Sequence, residues 1–391
     1  MALGPRPSIG FISTYPPTVC GIASYTKSLA GAVADHNRFA PKVGVVSLTD
    51  QPIGIVDPPV VFSHRVGDAE SLQTARRWLN TFDVVSVQHE FGIFGGPDGE
   101  EVLELISGLT APSVVTFHTV LDEPSANQRR IIEELCELAD RLVVMGQTTA
   151  KRLSQRYGVD PDRVEVIPHG ADARFAGPSL ATGGRPLVLT WGLIGPGKGL
   201  ETAIEAFAGL VDLDPLPRYL IAGGTHPNVR RSSGEAYREG LVSLVEDLGA
   251  LGIVEFEDLF YDRATLARLV RSADLIVLPY SSREQVTSGV LVEAMAASKP
   301  VIATAFPHAV ELLSGGAGVI VPHDDPTALS EALRLVLSDP DLMETMSEKA
   351  RILAGEWYWP LVGRRFGDIV LDVAAVDSDS ADRAEASHVA G

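Results

Sequence analysis

Residues 187–207 read LVLTWGLIGPGKGLETAIEAF, and the fold turns on how this stretch is parsed. Leu187–Trp191 is short and apolar on both faces, the mark of a strand covered from both sides. Trp191–Gly199 (WGLIGPGKG) is a loop kept tight by glycines and a proline. Leu200–Val211 continues as an amphipathic helix. Strand, glycine-rich loop and helix, in that order, open a βαβ unit. The spacing matches neither GxxxxGK[ST] nor GxGxxG, so no standard nucleotide fingerprint can be claimed. Lys198 stands just before the helix, where a cation and free N–H groups together suit phosphate oxygens. A plain glycine-rich turn with a solvated lysine would read the same way.

Outward from this stretch the alternation continues. Downstream, Arg218–Ala222, Ile253–Phe256, Leu275–Leu278, Val301–Ala303 and Gly318–Val321 read as strands. Arg238–Leu248, Val290–Ala297, Pro326–Leu337 and Asp341–Leu353 read as helices. Upstream, Ser8–Ser13, Lys42–Leu48, Asp83–Gln88, Ser113–Phe117, Arg141–Met145 and Val164–Ile167 are strands, and Ile22–Ala34, Asn127–Leu138 and Thr148–Tyr157 are helices. This predicts two α/β units in tandem, each a doubly wound parallel sheet of Rossmann-like type. The polar segment Pro178–Pro186 (PSLATGGRP) is the expected linker. The expected domains are 1–177 and 187–356, with ligands in a cleft at the carboxyl ends of the strands. A helix over 357–375, opened by Trp357, Tyr358 and Trp359, is expected to return to the first domain, and the acidic tail 376–391 to be disordered.

The formal net charge is −19, with 32 Lys and Arg against 51 Asp and Glu. That disfavours a nucleic-acid binder or a binder of anionic membranes, which need clustered cations. Cys20 and Cys136 belong to no CxxC or Cys/His cluster, which argues against zinc and for a reducing, cytoplasmic setting. No secretory signal is legible at the start, and no apolar run reaches the ~18 residues of a membrane span.

Three further segments carry chemistry. Thr14–Ser24 (TYPPTVCGIAS) joins the first strand to the first helix, with Gly21 at the junction, where a phosphate could approach the backbone or a simple turn could form. Pro279–Pro300 (PYSSREQVTSGVLVEAMAASKP) follows a strand and enters a helix at Thr287, Ser288, Gly289 and Val290, where free N–H groups are expected. Glu293, one turn further, can accept both hydroxyls of a ribose or pair locally. In the first domain, QHEFGIFGG (Gln88–Gly96) and TFHT (Thr116–Thr119) end strands, so His89, Glu90 and His118 are expected to line the same cleft, His89 and Glu90 on its acceptor side, although a single histidine is more often a structural hydrogen-bonder.

Taken together, CGIASYTKSLA, TFHT, VIPHG (Val166–Gly170), GPGKGLETAIEAF and VLVEAMAASKPVIAT resemble the retaining glycosyltransferases of family 4, which have the GT-B fold. The resemblance covers nearly everything from Ser8 to Val370. It implies that Lys198, beside Gly197, binds the donor pyrophosphate, that Glu293 binds the ribose, that Gly21 lies near the distal phosphate and that His118 contacts the transferred sugar. There are two departures. Gln285, with Glu284 beside it, stands where the family usually has Glu, and Leu193 follows Gly192 where it often has Arg. Neutral Gln285 can still hydrogen-bond sugar hydroxyls, and Arg230 or Arg231 could replace the missing cation. These departures resemble a mannosyltransferase-like subgroup.

The expected activity is hexosyl transfer with retention from a nucleotide sugar, GDP-mannose first, to a soluble saccharide acceptor such as a growing mannose polymer. His118, Lys198 and Gln285 are the expected catalytic residues. Gly21, Gly197, Thr287, Ser288, Gly289, Val290 and Glu293 complete the donor site. Neither a tightly bound cofactor nor a metal is expected to be required, and a homodimer is compatible with the sequence. A UDP- or ADP-sugar transferase, a sugar-nucleotide epimerase and a non-catalytic nucleotide-sugar binder are the competing readings.

Overall fold

The computed structural model describes residues 7–35, 41–51, 57–181 and 183–389, with side chains to residue 375. The chain forms two compact units, Met1–Gly170 with Trp359–Gly391, and Ala171–Tyr358.

The first unit runs β1 (Ile9–Thr14), α1 (Gly21–Ala34), β2 (Val43–Thr49), β3 (Val60–Arg65), α2 (Ala69–Leu79), β4 (Val84–His89), α3 (Glu101–Ser107), β5 (Ser113–Phe117), α4 (Ala126–Leu138), β6 (Arg141–Val144), α5 (Gln147–Tyr157) and β7 (Val164–Val166). Its strands form one parallel sheet, ordered β3-β2-β1-β4-β5-β6-β7. Successive residues of the central strands serve opposite cores, the period of two that a strand imposes. Phe11, Val45, Val84 and Val114 face one cluster with Tyr25, Leu29 and Val33 of α1. Ile12, Val46, Val85 and Val115 face the other, with Leu72, Ile131 and Leu135 from α2 and α4.

The second unit runs β8 (Leu187–Trp191), α6 (Leu200–Ala208), β9 (Arg218–Ala222), α7 (Pro227–Ser233), α8 (Ala236–Asp247), β10 (Val254–Glu257), α9 (Arg263–Ser272), β11 (Leu275–Leu278), α10 (Gly289–Ala296), β12 (Val301–Thr304), α11 (Pro307–Leu313), β13 (Gly318–Val321), α12 (Pro326–Leu337) and α13 (Pro340–Leu353). Its parallel sheet is ordered β10-β9-β8-β11-β12-β13. Again the residues alternate, Leu189 and Ile276 to one core and Val188 and Val277 to the other. The last helix, α14 (Trp359–Val389), belongs to the first unit. There Val362, Phe366 and Val370 are fully buried, and Phe366 stacks on Phe11 with ring centres 6.1 Å apart.

Two expectations need correction. The chain passes between units at Gly170–Ala171, ahead of the expected linker 178–186. The early part of that segment is bound into the second unit: Arg271 donates to the Pro178 carbonyl at 3.0 Å, Leu180 N–H donates to the Arg271 carbonyl at 2.9 Å, and Lys299 Nζ donates to Ser179 Oγ at 2.9 Å. The return is at Tyr358–Trp359, so Trp357 and Tyr358 belong to the second unit, where Trp357 accepts a 2.7 Å bond from Ala171 N–H. The tail 376–391, expected to be disordered, continues α14 as far as Val389, and its last two positions lie outside the described residues. Among the described residues no helix is long and apolar enough to cross a membrane.

Candidate functional site

In the second unit the strand order reverses between β8 and β11, so the connections leaving these neighbours go to opposite faces and a crevice opens at their carboxyl ends. The loop after β8 is built around Gly199, which caps α6 at φ 63°. A Cβ there would overlap the Pro279 carbonyl oxygen, so only glycine lets the two loops touch. Ser281 N–H donates to the Gly197 carbonyl at 3.1 Å and fastens the loops together. Lys198 is thereby held with Nζ 4.2 Å from the centre of the Tyr280 ring. Tyr280, itself buried, stacks on Phe306 at 5.1 Å. Among the described residues no carboxylate pairs with Lys198, so its charge rests on an aromatic face and stays available to an anion. Burial, then Lys198 and Arg231, hold nearby His226 below the usual imidazole range. The two arginines expected to help are engaged: Arg230 pairs with Glu235 at 3.1 Å, and Arg231 donates to Asn228 at 2.6 Å.

The entry to α10 differs from expectation. Ser288 is buried, and its N–H donates to His308 Nδ1 at 2.9 Å, so it is not a free donor. Its hydroxyl accepts from Leu291 N–H at 3.2 Å, as an N-cap does. Gly289 and Val290, the next two residues, remain half-buried at the head of the helix. Burial pushes His308 down to about 4, which keeps the neutral ring that can accept this bond. Gln285 folds its amide onto its own loop, donating to the Thr287 carbonyl at 2.7 Å. Its amide oxygen and second N–H are left for ligand hydroxyls.

Glu293 is paired. Its Oε1 lies 2.7 Å from Arg263 Nη2, and the Trp191 indole N–H also donates to it. Burial drives its carboxyl upward, and Arg263 opposes that. Trp191 ends β8, so this carboxylate is tied to the strand that carries the Lys198 loop.

In the first unit, Gly21 opens α1, and a side chain added there would meet nothing within 4 Å. Cys20 caps the helix, its Sγ accepting from Ala23 N–H at 3.3 Å. His118 is half-buried and its Nε2–H donates to Gln88 Oε1 at 3.0 Å. Gln88 is oriented in turn by donating to Ser86 Oγ at 2.9 Å. Burial, then His169 and His89, push His118 down to about 3, so it works as a neutral hydrogen-bonding group. Tyr25 abuts the rings of His118, His169 and Trp359, with its hydroxyl buried and unpartnered. Glu90 accepts from Thr119 Oγ1 and from Phe91 N–H, and burial raises its carboxyl. His89 departs from expectation. It is fully buried between Phe91 and Phe117, neither ring nitrogen has a partner, and it lines no surface.

Sequence reasoning passed over Tyr280, Arg263, His308, Gln88 and Tyr25. Tyr280 and Gln88 stand inside stretches quoted for other residues. Arg263 carries no local signal, because its partner lies in a different helix.

Comparisons with known proteins agree with this architecture. Residues 21–175 match the family described as Glycosyltransferase Family 4, and residues 174–353 match Glycosyl transferases group 1. The chain is 31% identical over 380 residues to the D-inositol 3-phosphate glycosyltransferase of Corynebacterium glutamicum, covering 90% of this chain and 87% of that one. Its counterpart in Corynebacterium efficiens is 29% identical over 296 residues, covering 68% and 67%. Among solved structures, sucrose-phosphate synthase from Thermosynechococcus elongatus superposes with a TM-score of 0.75 at 20% identity, covering 95% of this chain and 100% of that one. The Anabaena HepE protein in complex with UDP gives 0.73 at 16%, covering 93% and 100%. These two likenesses concern the fold alone. The chain belongs to the family 4 glycosyltransferases and has the GT-B fold.

Proposed function

We propose that the protein transfers a hexosyl group, with retention, from a nucleoside diphosphate sugar to a hydroxyl of a carbohydrate acceptor, and that GDP-mannose is the donor. The observation that carries this is Lys198, a cation with no carboxylate partner among the described residues, seated on Tyr280 at the head of α6. Its charge meets the diphosphate as the bond from the anomeric carbon to the leaving oxygen breaks, which stabilises the transition state electrostatically. Gly289 and Val290 add backbone N–H groups, and Glu293 takes the ribose hydroxyls. Gln285 holds sugar hydroxyls through its amide oxygen. In the first unit, His118 is assigned to the transferred sugar and Gly21 to phosphate approach. The acceptor oxygen bonds the anomeric carbon on the face the diphosphate leaves, and its proton passes to the leaving phosphate oxygen. With Lys198 and backbone groups supplying the charge, no divalent cation is required.

The acceptor is a soluble saccharide in this reading. A second reading, a phosphorylated cyclitol, is favoured by the 31% identity to a protein named D-inositol 3-phosphate glycosyltransferase. Thermal unfolding with GDP, UDP, ADP and their sugar conjugates tests the donor. Stabilisation by GDP and GDP-mannose is expected; stabilisation by UDP or ADP conjugates alone would discard mannose and keep transfer. No shift with any of them would overturn the proposal. Nucleotide release with a mannose oligosaccharide against inositol 3-phosphate then separates the two acceptors, and chelator tests the metal.

A further inference from the structure

Glu293 is a carboxylate at a depth where carboxylates tend to lose their charge. Its side chain is 11% exposed, and α10 around it is apolar and buried from Leu291 to Ala296. A neutral acid there would be a poor acceptor for two hydroxyls. One cation answers it. Arg263 opens α9, and its Nη2 lies 2.7 Å from Glu293 Oε1. The guanidinium lies 5.0 Å from the centre of the Phe175 ring, and Nε is 3.9 Å from Asp172 Oδ2. Asp172 is itself bound by Arg174 at 2.8 Å. Asp262, the residue before Arg263, is spent on capping α9, accepting from Ala264 N–H at 2.9 Å and Thr265 N–H at 3.0 Å. The charged groups acting on Glu293 are therefore Arg263 from α9 and Asp172 from the segment after the unit boundary.

We propose that Arg263 is a positioning residue of the donor site: it holds Glu293 as a carboxylate in one orientation, so that its free lone pairs receive the paired hydroxyls of the ribose. This rests on the assignment of Glu293 to the ribose. Arg263 and Trp191 supply two donors, and an ionised carboxylate has about four acceptor positions, which leaves about two for the sugar. The planar guanidinium suits the task because it stacks on Phe175 and points an N–H at the carboxylate at once, which a lysine cannot do. Arg263 touches no substrate; it acts through Glu293.

The test is nucleotide affinity as a function of pH. GDP, UDP and ADP, each with its 2′-deoxy form, are titrated calorimetrically into wild type, Arg263→Met and Glu293→Gln between about pH 6 and pH 8.5. Arg263→Met keeps an apolar stem over Phe175 and removes the charge. Without the cation, burial raises Glu293 against the Trp191 hydrogen bond alone, so affinity for the nucleotide that binds falls at the acid end, about tenfold for each unit by which the carboxyl's value comes to exceed the pH, recovers as pH rises, and the preference for ribose over deoxyribose shrinks. Wild type loses less over the same range, its slope being that of the ligand's own terminal phosphate, which titrates at about pH 6. Should Arg263→Met fail to fold, Arg263→Gln removes the charge and retains an N–H donor, and the same pH-dependent loss is expected. Matching pH curves for wild type and the folded variant, with Glu293→Gln impaired, overturn the role of Arg263 and leave the ribose assignment standing. Undiminished affinity in Glu293→Gln overturns the ribose assignment itself.

Discussion

The buried histidines make the protein acid-labile by an amount that can be worked out. His89 and His308 are both buried, and burial pushes them down to about 3 and about 4. In the unfolded chain each returns to about 6.5. Above that value neither state binds the proton and stability is unaffected. As pH falls below 6.5 the unfolded chain takes up protons that the folded chain refuses, so stability is lost down to the folded values. At about pH 5 the loss is about 2 kcal/mol for each group, and moving either folded value by a unit barely changes it. His89 destabilises the first unit and His308 the second, against a total that for a domain is roughly 5–15 kcal/mol. The perturbation is His89→Phe, which places an apolar ring between Phe91 and Phe117 and removes two unpartnered nitrogens. Urea unfolding followed by tryptophan fluorescence at about pH 8 and about pH 5 is the assay. The variant should gain about 2 kcal/mol more, relative to wild type, at the lower pH. An equal gain at both values would show that His89 is already charged or solvated in the folded protein.

Two further outcomes follow from the second unit. Lys198→Met should lower kcat/KM roughly 10²–10³-fold, the cost of removing one preorganised group that meets developing charge. It should change stability by less than about 1 kcal/mol, since only the contact with Tyr280 is lost; steady-state turnover beside a melting curve checks both, and unchanged turnover would remove Lys198 from the site. Gly199→Ala must place a Cβ onto the Pro279 carbonyl at a left-handed φ, so it should lower the melting temperature by several degrees, about 1 kcal/mol or more, and raise the donor KM; a variant unaltered in both would contradict the tight joining of the two loops.

The doubly wound class was legible because strands such as Val301–Thr304 are apolar on both faces and the helices between them are amphipathic. β3 escaped notice: VVFSHR is an edge strand with a single neighbour, so its composition is only half that of a buried strand. The boundary between units was misplaced because glycine and proline at 178–186 mark irregular backbone, and irregular backbone can be fastened to a core as readily as it can link two. The motif residues lie at strand ends, in the loops that follow them or in the first turns of the next helices, but their partners were not readable. Ser288 was expected to offer its N–H, yet His308 takes it from a helix beyond the next strand. His89 was expected at a surface because it ends a strand, yet Phe91 and Phe117 close over it. Local spacing shows where a side chain starts and is silent about what a distant segment lays across it.

The chain order of the first unit has a consequence for biosynthesis. The core that contains Phe11, Tyr25 and Val33 is completed by Val362, Phe366 and Val370, which are translated after the whole of the second unit. The second unit is continuous in sequence and has everything it needs once Tyr358 has been made. The earlier-synthesised sheet must wait on the ribosome with one apolar face only partly covered, by α1, until α14 emerges. The part of the protein made first is therefore the part that finishes folding last, and chaperones would meet it with its α14-binding face still exposed.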